Sequence, residues 1–183
     1  MGIDPGTVVT GWGVVEMAGG SLLHLGHGTI KAESGRRKAE RGNSSFILRP
    51  SYFSLCRIYR GLQEVLRRHQ PQGISLEKVF FARNPQSALK LGQARGVALL
   101  AAAENNIAIH EFTSAEIKLA VVGYGQATKE QVQKMVASLL HLTESVPGDA
   151  ADALAAAICY LHQHDFHARV MGALPSSGRG LGR

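Results

Sequence analysis

The chain begins with three consecutive β-strand patterns before any helical pattern, and this order most constrains the fold. MGIDPGTVVTGWGVVEM combines a short apolar start, a Pro-Gly turn and alternating apolar residues, which predicts strand, turn and strand. Gly19 and Gly20 form a hairpin signal, and SLLHLGHGTIK predicts a third strand that pairs back on the second. Strands joined by such short turns pair antiparallel, so the predicted sheet begins antiparallel.

Helical and strand patterns alternate through the rest of the chain. A helical period appears from Leu55 and ends at Pro71, and the apolar runs GISLEKVFF and IAIHEFT predict two further strands. Between these strands, Asn84 and Pro85 predict the N-cap and first residue of a second helix. Three more helices are predicted, the second opened by a Thr128–Gln131 capping box and the last starting near Asp149. This order predicts an α/β domain with a mixed sheet.

Composition narrows the class of protein. The chain has 183 residues, of which 45% are hydrophobic, which is enough for one domain with its own core. No apolar run reaches the roughly 18 residues of a membrane span, and the N-terminus shows no signal pattern, so we expect a cytoplasmic protein. Cys56 and Cys159 lack the spacing of a disulfide framework or zinc site and suit a reducing compartment. The net charge of +6 indicates a polyanionic partner such as nucleic acid, although a merely basic protein is the alternative.

Four acidic residues occupy positions where a carboxylate is unexpected. Asp4 ends the first strand, Glu77 interrupts an apolar strand, and Asp149 with Asp152 begins the apolar last helix, three residues apart on one face. If these acids converge, their mutual repulsion requires cations, and hard carboxylate oxygens suit Mg²⁺ or Mn²⁺. Two such ions can activate a water and stabilise the leaving oxygen in phosphodiester cleavage.

Each of these features also has a simpler interpretation. Asp149 and Asp152 are typical of helix caps, Asp4 suits an Asx-turn, and Glu77 suits an exposed strand face. In the second helix, Gly92 and Gly96 lie four apart on one face. Such small residues admit close approach of another backbone, and plain packing of the helix on the sheet explains them equally well.

Four long segments resemble, in order, the signature blocks of the RuvC Holliday junction resolvases. They are GIDPGTVVTGWGVV, LEKVFFARNPQSALKLGQARGVALLAAA, VVGYGQATKEQVQKMV and DAADALAAAICY, and they cover most of the chain outside about residues 32–55 and the tail. The resemblance implies a ribonuclease H-like α/β fold, with a five-stranded mixed sheet flanked by helices on both faces. It implies a homodimer that binds four-way (Holliday) DNA junctions and nicks two strands symmetrically during recombination and repair. A branch-migration complex of RuvA and RuvB type proteins is the implied partner.

The resemblance also assigns functional residues. The family's catalytic and metal-binding acids fall on Asp4, Glu77, Asp149 and Asp152, which implies dependence on Mg²⁺, with Mn²⁺ as a substitute and two ions per subunit.

Four other positions match the family's DNA contacts. Phe80 matches an aromatic residue expected to stack on an unpaired base, with a core phenylalanine as the alternative. Lys118 and Lys129 match basic positions expected to contact phosphates or the scissile group, with solvated helix lysines as the alternative. Arg83 is a further candidate of the same kind.

The resemblance divides the chain into a nuclease domain and a tail. Residues 1–167 are expected to form a single ribonuclease H-like nuclease domain, and the basic Gly/Ser/Arg-rich residues 168–183 a disordered tail. Two features depart from the family pattern. Only Met1 precedes Gly2, so we expect a short and weakly held first strand, and residues 35–54 form an atypical, insertion-like segment.

Two other functions compete with the junction endonuclease. The short first strand motivates a catalytically impaired junction-binding module. GIDPGTVVTGWG also resembles the phosphate-binding hairpin of actin-like and sugar-kinase ATPases, although 183 residues leave little room for their second domain.

Overall fold

The computed structural model describes residues 1–32, 50–78 and 85–173. Its strands and helices follow the predicted order. In chain order they are β1 Gly2–Asp4, β2 Val9–Ala18, β3 Ser21–Lys31, α1 Pro50–His69, β4 Gly73–Glu77, α2 Pro85–Glu104, β5 Ala108–Phe112, α3 Ser114–Val122, α4 Lys129–Leu139 and α5 Gly148–Ala173.

The strands form one five-stranded mixed sheet in the order β3-β2-β1-β4-β5. β1, β2 and β3 pair antiparallel, as the turn signals predict, whereas β1–β4 and β4–β5 are parallel. β1 is short, as expected, with three residues. It nevertheless occupies the centre of the sheet, with Ile3 buried and the Met1 carbonyl accepting hydrogen bonds from the Ser75 N–H at 2.8 Å and from its hydroxyl at 3.2 Å.

Helices cover both faces of the sheet. α1 and α2 pack on one face around large buried side chains that include Ile3, Ile58 and Leu62. α3, α4 and α5 form the core of the other face with Phe112 and Leu154. The predicted ribonuclease H-like architecture, a five-stranded mixed sheet between helices, is therefore confirmed.

α5 lies directly on the backbone of the two central antiparallel strands. A Cβ added at Gly2 would lie 1.8 Å from the carbonyl oxygen of Ala153, and one at Gly11 would lie 1.9 Å from that of Asp149. Only glycine leaves room for such contact, and the alanine-rich sequence of α5 presents the matching small surface. The first turn of α5 thereby packs on Gly11 of β2, the residue paired with Asp4 at the end of β1.

Several boundaries differ from the sequence-based expectation. α1 begins at Pro50, so residues 50–54 of the predicted insertion-like segment belong to a helix, while residues 33–49 lie outside the described residues. α5 continues to Ala173, past residue 168 where the tail was expected to begin, and residues 174–183 lie outside the described residues. Neither segment has a helical hydrophobic period, so the sequence did not indicate these helix ends.

The interpretation of Gly92 and Gly96 as helix-to-sheet packing is wrong. α2 packs through Ala94, Ala98 and further alanines, whereas a Cβ added at Gly92 or Gly96 would meet no atom within 4 Å in the described part of the chain. Both glycines therefore belong to an open helix face.

None of the helices in the described ranges is long and apolar enough to cross a lipid bilayer. Cys56 and Cys159 are both free thiols.

Candidate active site

Asp4 and Glu77 end two neighbouring parallel strands. The β1–β4 register pairs Gly2 with Ser75 and Ile3 with Leu76, so one further step places Asp4 beside Glu77. Ile3 and Leu76 are buried toward α1 and α2. Because side chains alternate along a strand, Asp4 and Glu77 point to the opposite face, on which α5 packs.

α5 brings Asp149 and Asp152 to the same place. Asp4 pairs with Gly11 across β1 and β2, and Gly11 is the residue whose backbone touches the Asp149 carbonyl. The first helical hydrogen bond runs from the Ala151 N–H to the Pro147 carbonyl at 2.9 Å. Asp149 therefore lies inside the first turn and not at the N-cap, so the simple capping interpretation is wrong for Asp149.

The turn that follows Asp4 is locked by a buried threonine. The Thr10 hydroxyl donates to the Gly6 carbonyl at 2.9 Å and accepts from the Gly6 N–H at 3.3 Å. A Cβ added at Gly6 would lie 2.0 Å from the Val9 carbonyl oxygen, so the turn closes tightly. Thr10 was not singled out from the sequence, because its full burial on β2 is seen only in the structure.

The three other acids act electrostatically on Asp4. Burial raises the pKa of Asp4 from its ordinary value of 3.8 to about 6, and the carboxylates of Asp152, Asp149 and Glu77 add to the rise in that order. Lys129 acts in the opposite direction and lowers this pKa. A half-buried aspartate surrounded by three other acids favours binding of a proton or of another cation.

Lys129 joins the acidic cluster and Lys118 does not. The Lys129 ammonium donates a 2.6 Å hydrogen bond to Asp152 Oδ2, and this bond raises the pKa of Lys129. The predicted capping box of Thr128 and Gln131 holds the helix end that carries Lys129. Lys118 lies on α3, partly buried, and is not among the groups that shift the pKa of Asp4.

The donor chemistry of the cluster fits a hard divalent cation. Within residues 1–32, 50–78 and 85–173, however, no three carboxylate, imidazole or thiol groups already have the spacing of metal ligands. Glu77 is exposed and Asp152 bonds to Lys129.

Arg95 of α2 contacts the main chain at the site, and sequence reasoning missed it. Its guanidinium donates to the Glu77 carbonyl at 2.7 Å and forms an ion pair with Glu111 of β5. The remaining predicted residues, Phe80 and Arg83, lie outside the described residues.

Comparisons with known proteins agree with this geometry. The family model "Crossover junction endodeoxyribonuclease RuvC" matches residues 1–160. A RuvC of Geobacter sulfurreducens is 46% identical over 160 residues, covering 87% of this chain and 90% of the relative. One of Syntrophotalea carbinolica is 46% identical over 167 residues, covering 91% and 94%.

Solved structures show the same fold. Thermus thermophilus RuvC in complex with Holliday junction substrate superposes with a TM-score of 0.74 at 29% identity, covering 90% of this chain and 94% of that one. The yeast mitochondrial Holliday junction resolvase Ydc2 has a TM-score of 0.61 at 14% identity, covering 93% of this chain and 81% of that one, and shares the fold. From the matched family model and from relatives that align along most of their length, the chain belongs to the crossover junction endodeoxyribonuclease RuvC family.

Proposed function

We propose that the chain is a metal-dependent endonuclease that nicks four-way DNA junctions symmetrically as a homodimer. The observation that carries the proposal is that Asp4, at the end of β1 beside Glu77 and below the first turn of α5, is partly buried among acids: burial raises its pKa to about 6, and the carboxylates of Asp152, Asp149 and Glu77 add to the rise. Placing several negative charges close together at a partly buried position raises the electrostatic free energy, and a bound cation lowers it. The junction named in the Thermus thermophilus complex indicates the substrate class.

Asp4, Glu77, Asp149 and Asp152 would hold the metal, Mg²⁺ or Mn²⁺, with two ions per subunit. Such ions supply an activated water and stabilise the leaving oxygen of a phosphodiester. The fold of the chain positions these carboxylates. β1 and β4 orient Asp4 and Glu77 side by side, the first turn of α5 adds Asp149, and Lys129 orients Asp152.

The basic residues would bind the DNA backbone. The Lys129 side chain is 56% exposed while it bonds to Asp152, so it can reach a phosphate beside the cluster. Lys118 and Arg83 would extend this contact, and Phe80 would stack on an unpaired base at the crossover. The net charge of +6 supports a polyanionic substrate.

The open face of α2 supports the homodimer. Gly92 and Gly96 share this face with Leu89 and Leu100, which are 71% and 51% exposed. A second copy related by a two-fold axis would cover the leucines and bring the glycines together, and two equivalent active sites would then meet two equivalent strands. A cytoplasmic location and a branch-migration complex of RuvA and RuvB type complete the proposal.

The test is cleavage of a synthetic four-way junction labelled on each strand. In Mg²⁺ the wild type is expected to nick two opposed strands. Asp4→Asn is expected to lose about 10²- to 10³-fold in rate, because metal-ion catalysis supplies several kcal/mol, while the junction Kd stays within about threefold. Glu64→Gln, an exposed acid on α1, is the matched control and is expected to cut normally.

Two outcomes would contradict this function. Asp4→Asn protein that cuts at the wild-type rate would exclude the carboxylate mechanism. Wild-type protein that shifts the junction in a gel but cuts in neither Mg²⁺ nor Mn²⁺ would be the junction-binding module instead.

A further inference from the structure

We propose that Arg95 is a positioning residue that replaces a missing strand hydrogen bond at Glu77. The inference rests on the proposed function of Glu77 as a metal ligand. It follows from the sheet register together with one missing donor.

The register shows which N–H the Glu77 carbonyl would normally accept. The Ser75 N–H donates to the Met1 carbonyl at 2.8 Å, so residues 75 and 77 of β4 direct their main-chain groups toward β1. The Lys78 N–H donates to the Phe112 carbonyl at 2.7 Å, so the residue after Glu77 faces β5 instead. In a parallel ladder the donor to the Glu77 carbonyl would therefore be the N–H of residue 5. That residue is Pro5, which has no N–H.

Arg95 supplies the missing donor from α2. Its Nη1 lies 2.7 Å from the Glu77 carbonyl oxygen. Its Nη2 pairs with Glu111, which stands beside Leu76 in the β4–β5 register and so points to the α2 face. The Arg95 side chain is only 16% exposed, and its charge is balanced by Glu111. The guanidinium thus ties α2 and β5 to the end of β4.

This tie determines where the Glu77 carboxylate points. Glu77 is the last residue of β4, β1 ends at Asp4, and Pro5 has no N–H to donate to the Glu77 carbonyl. Arg95 fixes the main chain from one face of the sheet, and the side chain leaves on the other face toward Asp4. Groups that orient metal ligands in this way typically account for about 10- to 100-fold in metal affinity.

The experiment compares Arg95→Met with Glu111→Gln. Both changes disrupt the Arg95–Glu111 ion pair, but only the first removes the donor to Glu77. Mn²⁺ affinity is measured by calorimetry, and nicking is followed against Mg²⁺ concentration. Arg95→Met is expected to weaken Mn²⁺ binding and raise the half-maximal Mg²⁺ concentration about tenfold, with the junction Kd unchanged. Glu111→Gln is expected to stay within about twofold of wild type, since Arg95 still reaches Glu77.

Pro5→Ala provides the rescue, because alanine restores an N–H at position 5. In the Arg95→Met background it is expected to recover whatever that variant loses, whether metal affinity or thermal stability, and so to give a non-additive double-mutant cycle. Equal effects of Arg95→Met and Glu111→Gln, or no recovery by Pro5→Ala, would overturn the inference. A wild type that does not nick would instead overturn the proposed function, and the Mn²⁺ calorimetry would still decide the role of Arg95.

Discussion

The two faces of the sheet are packed by different means. Toward α1 and α2 the core consists of large interlocking side chains such as Ile58 and Leu62. Toward α5, the glycines of β1 and β2 touch the helix backbone directly at Asp149 and Ala153. Side chains can repack after a substitution, whereas two backbones in contact can only move apart. The face that carries the acids therefore tolerates substitution less, and the proposed active site lies on this face.

The largest effect is expected for Gly11→Ala. Its new Cβ would lie 1.9 Å from the Asp149 carbonyl oxygen, so α5 must lift away from the sheet. We expect a loss of about 4 kcal/mol or more in the free energy of unfolding, together with loss of nicking. Gly26→Ala on the α1 face is the matched control. Its Cβ would meet the His69 side chain at 3.1 Å, which can rotate, so about 1 kcal/mol is expected. Equal losses in urea denaturation would contradict the contrast between the faces.

Leu62→Ala tests the opposite face. Leu62 is fully buried between α1 and the sheet, and the cavity is expected to cost about 3 kcal/mol. Because this core lies away from the acids, the nicking rate per folded molecule and its Mg²⁺ dependence should not change. A shifted Mg²⁺ dependence would mean that the two faces are coupled.

Asp4→Asn is expected to stabilise the metal-free protein at neutral pH. The folded-state pKa of Asp4 is raised from 3.8 to about 6, so the folded form binds the proton more tightly than the unfolded form. The contribution of Asp4 to wild-type stability therefore falls as pH rises from about 4 to 6. At pH 7 in a chelator, Asp4→Asn should be about 2 kcal/mol more stable, and this advantage should vanish near pH 4. A difference that is constant with pH, measured by denaturation at several pH values, would refute the assignment.

The smallest effect is expected for Lys129→Met. The ion pair with Asp152 is largely exposed, so its loss should change stability by less than about 1 kcal/mol. The Lys129 charge lowers the pKa of Asp4, and its removal should therefore raise that pKa further. Carboxyl-carbon NMR titration measures the shift, and Lys129→Arg, which keeps the charge, should leave the pKa close to wild type. A pKa that falls in Lys129→Met would show that the cluster is arranged differently.

Patterns with a local physical cause were predictable from the sequence. Alternation and turn residues identified the strands, and the Thr128–Gln131 box marked the start of α4, because both depend on neighbouring residues. The acids were identified because burying a carboxylate in an apolar segment costs free energy unless the charge is paired or binds a ligand. The link between Asp4 and the other three acids is supported by the effect of each on the pKa of Asp4.

Features that depend on the register or on distant contacts were not predictable. The role of Arg95 requires knowing that Pro5 stands opposite the Glu77 carbonyl, which no local pattern encodes. The openness of Gly92 and Gly96 depends on which face of α2 meets the sheet. The start of α1 fell in an aperiodic stretch, where composition carries no helical signal.

The packing of α5 on the sheet also limits where insertions and deletions can occur in the chain. The helix contacts all five strands, so its rotation about its own axis is fixed from the acids to the far edge of the sheet. One codon inserted between Asp149 and Ile158 would turn one part of the helix by about 100° relative to the other and would move either the acids or the alanines out of place. The connection at residues 140–147 lies between α4 and α5, so an insertion there does not rotate one part of a helix relative to another. Functional length variants are therefore expected to carry their insertions and deletions in that connection and not in the first three turns of α5.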